Sequence, residues 1–367
     1  MPTPQEVLRV LARVVEPERG RDIVRLKMVR NLRVEDGRVS FTLVFNRPDT
    51  DFARQAPEQC RKLLQEAFGP ELSVQIDTDA EMIGLEVQGG GPMPSVQPEG
   101  VLNFIAVASG KGGVGKSTVA VNLAVALAQQ GYDVGLLDAD IYGPSVPTMF
   151  GVRDEKPRVN EQRKIVPLVR HNVRLLSMGF IVDPEQAVIW RGPMVAKALR
   201  QFLGEADWGE LDFLILDLPP GTGDVPLTIV QSIALTGAVI VSTPQPVALA
   251  DARKGVAMFR NVQVPVLGIV ENMAYFSPPD LPDRKYYIFG RGGAWRLAEE
   301  LDVPFLGEIP IEEAVREGGD LGKPVVLAEP ESASAKAFFR LAEQVVEQVN
   351  LRNAEQPPTQ RVEILYR

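Results

Sequence analysis

The stretch Gly110-Lys111-Gly112-Gly113-Val114-Gly115-Lys116-Ser117-Thr118 constrains this chain more than any other. It satisfies G-x-x-x-x-G-K-[ST], in which glycines let backbone N–H groups converge on phosphate oxygens. Both flanks agree with that reading. Phe104 to Ala108 is an apolar run of strand length, and Val119 to Gln130 has helical periodicity with no breaker. Strand, glycine loop and helix in that order bring the positive end of a helix to the phosphate. Lys116 is then expected at the β- and γ-phosphates, and the Ser117 hydroxyl on Mg²⁺. A glycine-rich turn that merely joins strand to helix is the alternative, disfavoured because both flanks are right. Lys111, directly after the first glycine, is not required by an ordinary phosphate loop and calls for its own explanation.

The residues around the loop predict an α/β fold. From Val101 onward, apolar runs at Ile105–Ala108, Val134–Leu137, Val173–Ser177, Phe213–Leu216, Val239–Ser242, Leu267–Val270 and Pro304–Leu306 alternate with helical stretches. Such alternation implies βαβ units and a doubly wound, mostly parallel sheet, whose ligands bind beyond the carboxyl ends of the strands. The polar clusters fall at such ends. Asp138-Ala139-Asp140 follows one buried run, and a carboxylate pair there suits Mg²⁺ coordination and positioning of an attacking water. Two solvated turn aspartates, in a loop that continues Tyr142-Gly143-Pro144, are the lesser alternative. Asp217 closes Phe213-Leu214-Ile215-Leu216 in the Walker B manner and is expected on Mg²⁺, directly or through water. The glycines of Pro219-Pro220-Gly221-Thr222-Gly223-Asp224 allow backbone N–H groups near a γ-phosphate. Asn272, in Glu271-Asn272-Met273, offers an amide that suits an adenine edge or, equally well, a turn.

The first part of the chain reads differently. Residues 4–15 carry apolar positions at helical spacing. Arg25–Glu35 and Val39–Phe45 read as strands around an Asp36-Gly37 turn, Ala53–Phe68 as a helix and Leu72–Ile76 as a third strand. The predicted organisation is a small α+β domain at 1–83, a Gly/Pro-rich linker at 84–100, an ATPase domain at 101–352 and a tail at 353–367, with a last helix near Ser332–Val349. The net charge of −9 supplies no overall basic field for nucleic acid or anionic membrane. No apolar run approaches the roughly 20 residues of a spanning helix. One cysteine, Cys60, and one histidine, His171, exclude an internal disulfide and a Cys/His metal cluster within one subunit. The opening residues show no secretory signal pattern, and the cytoplasm is the expected setting.

Taken together, these motifs resemble a known family. Lys111 within Gly-Lys-Gly-Gly-Val-Gly-Lys-Ser-Thr looks like the deviant Walker A of the MinD/ParA/nitrogenase-iron-protein class of ATPases. Leu137 to Ser145, Trp190-Arg191-Gly192-Pro193-Met194, Asp217 to Asp224, Thr243-Pro244-Gln245 and Glu271-Asn272-Met273 narrow the resemblance to Mrp-type (ApbC-like) iron–sulfur carrier ATPases. It covers about 101–349. Glu16-Pro17-Glu18 and Asp22-Ile23-Val24 resemble, more weakly, the small iron–sulfur-assembly domain that often precedes this ATPase. The resemblance implies a homodimer with ATP and Mg²⁺ at its interface. Lys111 would reach the partner's nucleotide, Lys116 and Thr118 would hold phosphates, Ser117 would hold Mg²⁺, and Asp140 would position water. Its implied role is to bind an iron–sulfur cluster and pass it to apoproteins or assembly scaffolds.

One part of the family pattern is absent. Members usually carry a Cys-x-x-Cys pair after the Asn-Met string, and here Pro278 and Leu281 occupy those places. The small domain also lacks the cysteine its relatives often carry near Pro48–Phe52. Cys60 lies instead on the expected second helix, where a buried structural thiol is the ordinary reading. An iron–sulfur cluster is therefore expected from the family, without identified ligands. The alternative is a nucleotide-switched, ParA/MinD-like scaffold that binds no cluster. Phosphotransfer to a small molecule is a third reading, for which no acceptor pocket is visible apart from Arg191 and nearby acids.

Overall fold

The computed structural model describes residues 2–35, 37–80, 98, 100–141, 143–180, 192–278, 280–281 and 283–356. Most of the expected linker, the tail beyond 356, and Asp36, Tyr142, Trp190 and Arg191 lie outside the described residues. The contacts divide the chain into two compact units, residues 2–80 with 346–356, and residues 98–345.

The smaller unit runs α1 (Pro4–Leu11), β1 (Val15–Glu16), β2 (Arg21–Asp22), β3 (Val29–Glu35), β4 (Arg38–Phe45), α2 (Asp51–Phe68) and β5 (Ser73–Ala80). Thr3 and Glu6 close a capping box on α1, and the Thr50 hydroxyl accepts from the Ala53 N–H at the start of α2. β3 pairs antiparallel with β4, and β4 pairs parallel with β5. Val7, Leu11, Ile23, Phe41, Cys60 and Leu64 fill the core. The strand expected from Arg25 begins only at Val29. The Asp22 carboxylate accepts from the N–H groups of Val24 and Arg25, and Lys27 is left-handed at φ 56°, so the chain turns there instead.

The larger unit begins β6 (Val101–Ser109), α3 (Lys116–Gln129), β7 (Val134–Asp138), α4 (Val146–Met149), β8 (Arg158–Val159), β9 (Ile165–Val166), β10 (Leu168–Arg170) and β11 (Val173–Ser177). It continues α5 (Gly192–Gly204), β12 (Leu211–Asp217), α6 (Asp224–Ser232), β13 (Gly237–Ser242), α7 (Pro246–Asn261), β14 (Val266–Glu271), α8 (Gly293–Glu300) and β15 (Phe305–Glu308). α9 (Glu313–Asp320), α10 (Val325–Ala328) and the first part of α11 (Ala333–Glu355) complete it. Eight strands form one sheet in the order β10-β11-β7-β12-β6-β13-β14-β15. All neighbours are parallel except β10, which adds an antiparallel edge to β11.

The residue pattern explains these layers. β7, β12 and β13 are buried at every position, as strands covered by helices on both faces must be. α3 is apolar on every side and buried from Val119 to Ala128, the signature of a central helix. Trp208 is buried among Phe202, Leu211 and Leu214, and its indole N–H donates to the Phe202 carbonyl at 3.0 Å. α11 extends beyond the expected Val349. Its last turns group with the smaller unit because Leu351 and Ala354 join that unit's core, whereas the sequence reading placed residues up to 352 with the ATPase.

Candidate nucleotide and metal site

Strand order assembles the site. β7 lies between β11 and β12, and the parallel register sets Asp138 opposite both Ser177 and Asp217. Asp217 is also opposite Val107 on β6, the strand that runs into the glycine loop. Two acids distant in sequence thus stand side by side where that loop leaves the sheet.

The loop's glycines have separate duties. A Cβ on Gly110 would fall 2.1 Å from the carbonyl carbon of Asp251, so the loop lies directly on the backbone of α7. Gly113 and Gly115 both adopt φ +80°, where a side chain is strained. A Cβ on Gly115 would also meet Asn272 Nδ2 at 2.2 Å. Gly112 faces open space, with nothing within 4 Å of a built Cβ. The loop is therefore packed behind and clear in front, a cradle that a ligand fills. Thr118, half-buried, follows Ser117 in the first turn of α3.

Lys116 is buried, and its ammonium donates to Asp217 Oδ1 at 2.5 Å and to Ser117 Oγ at 3.1 Å. Asp217 Oδ2 is buried and has no hydrogen-bond partner among the described residues. Asp138 accepts from the Ser177 hydroxyl at 2.8 Å and from the Asp140 N–H at 3.0 Å. Burial, and then the neighbouring Asp217, push the Asp138 carboxyl up to about 8. Burial also raises Asp217, against the pull of the Lys116 ammonium and the Ser117 hydroxyl. Two desolvated carboxylates, one with an unshared oxygen, fit a small divalent cation, which supplies the positive charge that burial denies them. Among the described residues no cluster of three or more His, Cys, Asp or Glu is able to hold a metal ion.

The remaining predicted residues surround this centre. Asp140 is buried, and its Oδ1 accepts from the Gly143 N–H at 3.3 Å. The Gly221 N–H donates to the Ser109 carbonyl at 2.9 Å, tying the Pro219–Asp224 loop to the end of β6. Asn272 Nδ2 donates to the Val114 carbonyl at 2.8 Å, so its amide holds the phosphate loop from beneath. Lys111 is half-buried, its backbone carbonyl takes the Ser109 hydroxyl at 2.9 Å, and its ammonium meets no carboxylate at ion-pair distance among the described residues.

Two contributors escape sequence reasoning. Ser177 orients Asp138, and Glu271 is buried with Oε2 accepting from the Ala294 N–H at 2.6 Å. Each carries the signal that exposed the aspartates, a polar residue closing an apolar strand.

No described arrangement resembles a cluster site. Pro278 is half-buried and Leu281 exposed, and the Leu281 N–H donates to the Pro278 carbonyl at 3.0 Å. Cys60 is fully buried in the smaller unit, and burial pushes its thiol up to about 12. These residues do not fit the four-thiolate ligation of an iron–sulfur cluster. No described helix is long and apolar enough to cross a membrane.

Sheet, loop and paired acids define a P-loop NTPase of MinD/ParA type. Residues 100–346 match the family described as NUBPL iron-transfer P-loop NTPase, and the chain belongs to that family. Residues 4–76 match a second family, described as iron–sulfur cluster assembly protein. The iron–sulfur cluster carrier protein of Synechocystis is 50% identical over 355 residues, spanning 96% of this chain and 99% of its own length. Among solved structures, the nucleotide-binding protein from Archaeoglobus fulgidus in complex with ADP is 43% identical with a TM-score of 0.57, covering 65% of this chain and 92% of its own. The Pyrococcus furiosus cell division ATPase MinD, 27% identical with a TM-score of 0.50, covers 66% of this chain and 98% of its own.

Proposed function

We propose that this chain is a homodimeric, Mg²⁺-dependent ATPase that acts in passing iron–sulfur clusters to apoproteins or assembly scaffolds. The observation that carries the reading is the placement of Lys116, Ser117, Asp138 and Asp217 around one buried centre at the foot of a cleared glycine loop. Backbone N–H groups of Gly112 to Lys116 bind the phosphates, and Lys116 exchanges part of its bond with Asp217 for phosphate oxygen. Ser117, Asp138 and Asp217 would hold Mg²⁺, which would supply positive charge to offset that of the phosphates. Asp140, fixed at its backbone by Asp138, orients the attacking water. Lys116 already supplies the ammonium of its own site. As its resemblance to the deviant Walker A implies, the second lysine, Lys111, serves the nucleotide of the partner subunit, stabilising the transferring phosphoryl group as an arginine finger does.

The cluster is cargo in this reading, and its cysteines come from the client or scaffold, since Pro278 and Leu281 offer none. The carrier and transfer names of the relatives support this role. Steady-state ATP turnover tests the chemistry: Lys116→Ala and Asp140→Ala should abolish it. Lys111→Ala should keep nucleotide binding and lose hydrolysis, and retained turnover in that variant would refute the cross-subunit role. Anaerobic reconstitution of wild type mixed with an apo iron–sulfur protein, followed by visible absorption and iron counting, tests the cargo. Nucleotide-dependent pelleting with DNA or liposomes, without any effect on cluster transfer, would instead favour the scaffold reading.

A further inference from the structure

Ser177 sits in the buried centre, yet the chemistry proposed above gives it no task. Register puts it there. Ser177, Asp138 and Asp217 are consecutive partners across β11, β7 and β12, so their side chains leave one face of the sheet in a row. All three are buried. Lys116 donates to Asp217 at one end of the row, and Ser177 donates to Asp138 at the other.

The two grips differ in kind. A lysine ammonium on its flexible stem is free to turn from carboxylate to phosphate. The Ser177 hydroxyl is not. It carries one proton and two lone pairs. One lone pair takes the Gly179 N–H at 2.9 Å, and the proton goes to Asp138 Oδ2 at 2.8 Å. Asp138 Oδ1 accepts from the Asp140 N–H at 3.0 Å. The carboxylate is therefore pinned at both oxygens, once by its own loop and once from the neighbouring strand. The second pin is braced in turn. A Cβ on Gly179 would fall 2.9 Å from Pro144 Cβ and 3.2 Å from Ser177 Oγ, so the turn Met178–Phe180 lies directly against the loop that carries Asp140.

We propose that Ser177 is a positioning residue for the metal site, its hydroxyl held by the Gly179 N–H and fixing the direction of the Asp138 carboxylate. Asp138 is then the set ligand of the pair, and Asp217 the one that exchanges partners as Lys116 turns to phosphate. Groups that orient a metal ligand from behind typically govern metal affinity by about 10–100-fold. This role rests on Asp138 being a ligand of Mg²⁺, as proposed above, and the two are separable by experiment.

The test titrates Mn²⁺, standing in for Mg²⁺ and read by its paramagnetic resonance, into the full chain with ADP bound, and measures metal-free ADP binding by equilibrium dialysis. Ser177→Ala should weaken Mn²⁺ by about tenfold or more and leave metal-free ADP affinity as in wild type, which also shows that the variant is folded. In steady-state assays the loss should fall on the Mg²⁺ concentration for half-maximal turnover more than on the rate at saturating Mg²⁺. Gly179→Ala, which presses on Ser177 and removes no ligand, should weaken Mn²⁺ in the same direction. In an Asp138→Asn background, Ser177→Ala should add nothing, because the carboxylate it positions is gone. Unchanged Mn²⁺ affinity in Ser177→Ala, a full further loss on top of Asp138→Asn, or loss of metal-free ADP binding would each overturn the proposal and leave the metal reading standing. Failure of Asp138→Asn alone to weaken Mn²⁺ would overturn both.

Discussion

Lys116→Ala breaks the buried ion pair that Lys116 makes with Asp217. Lys116 Nζ and Asp217 Oδ1 stand 2.5 Å apart, with the two side chains 6% and 0% exposed, so solvent screening that empties surface pairs of energy is absent. Removing one partner of a buried pair leaves an uncompensated charge, at a cost of about 3–5 kcal/mol. Protonation limits that cost. Neutralising a carboxylate of ordinary pKa at pH 7 takes about 4 kcal/mol, and burial already raises Asp217, so the lower part of the range applies. We expect the variant to lose about 3 kcal/mol in Mg²⁺-free, nucleotide-free buffer. Tryptophan fluorescence during urea unfolding reads this in the right place, because Trp208 sits in the core of the larger unit. Adding Asp217→Asn should recover most of the loss by removing the stranded charge. A deficit below about 1 kcal/mol, or one that Asp217→Asn leaves untouched, would show that the pair does not hold the folded site together.

Two further predictions separate packing from chemistry. Gly110→Ala drives a Cβ to 2.1 Å from the Asp251 backbone, so α7 must shift, with an expected cost of about 1–3 kcal/mol in thermal melts. Gly112→Ala meets nothing within 4 Å and should melt like wild type while binding ATP more weakly, as equilibrium dialysis would show. A melt of Gly112→Ala well below wild type would contradict the cleared cradle. Cys60, with its thiol pushed up to about 12, should resist a disulfide reagent at pH 8 in the native chain and react fully in denaturant. Rapid native labelling would argue against its burial.

Much of the larger unit was legible because buried parallel strands are short apolar runs, and a polar residue that ends one stands out. Asp138 and Asp217 were readable for that reason. Their pairing was not, since nothing in either run states that β7 and β12 are neighbours with those two residues in register. Ser177 carried the same signal and passed unnoticed without a carboxylate to draw attention. The antiparallel edge strand β10 is only Leu168–Arg170, too short for any period to register. Leu351 and Ala354 show that the end of α11 buries apolar residues, but periodicity cannot say which core receives them. The turn before β3 rests on Asp22 and the left-handed Lys27, which no periodicity announces.

The bond from Asn272 to the Val114 carbonyl joins residues 158 positions apart. It makes the phosphate loop and the excursion that begins at the left-handed Met273 one mechanical linkage. If phosphate draws the loop carbonyls to a new direction, Asn272 must follow or release, and the excursion feels the difference. Linkage works both ways. A protein that grips residues 274–292 preferentially in one loop state must change ATP affinity by the factor by which ATP changes its own. Nucleotide titrations with and without such a bound partner measure that factor, and a ratio of one would cut the linkage.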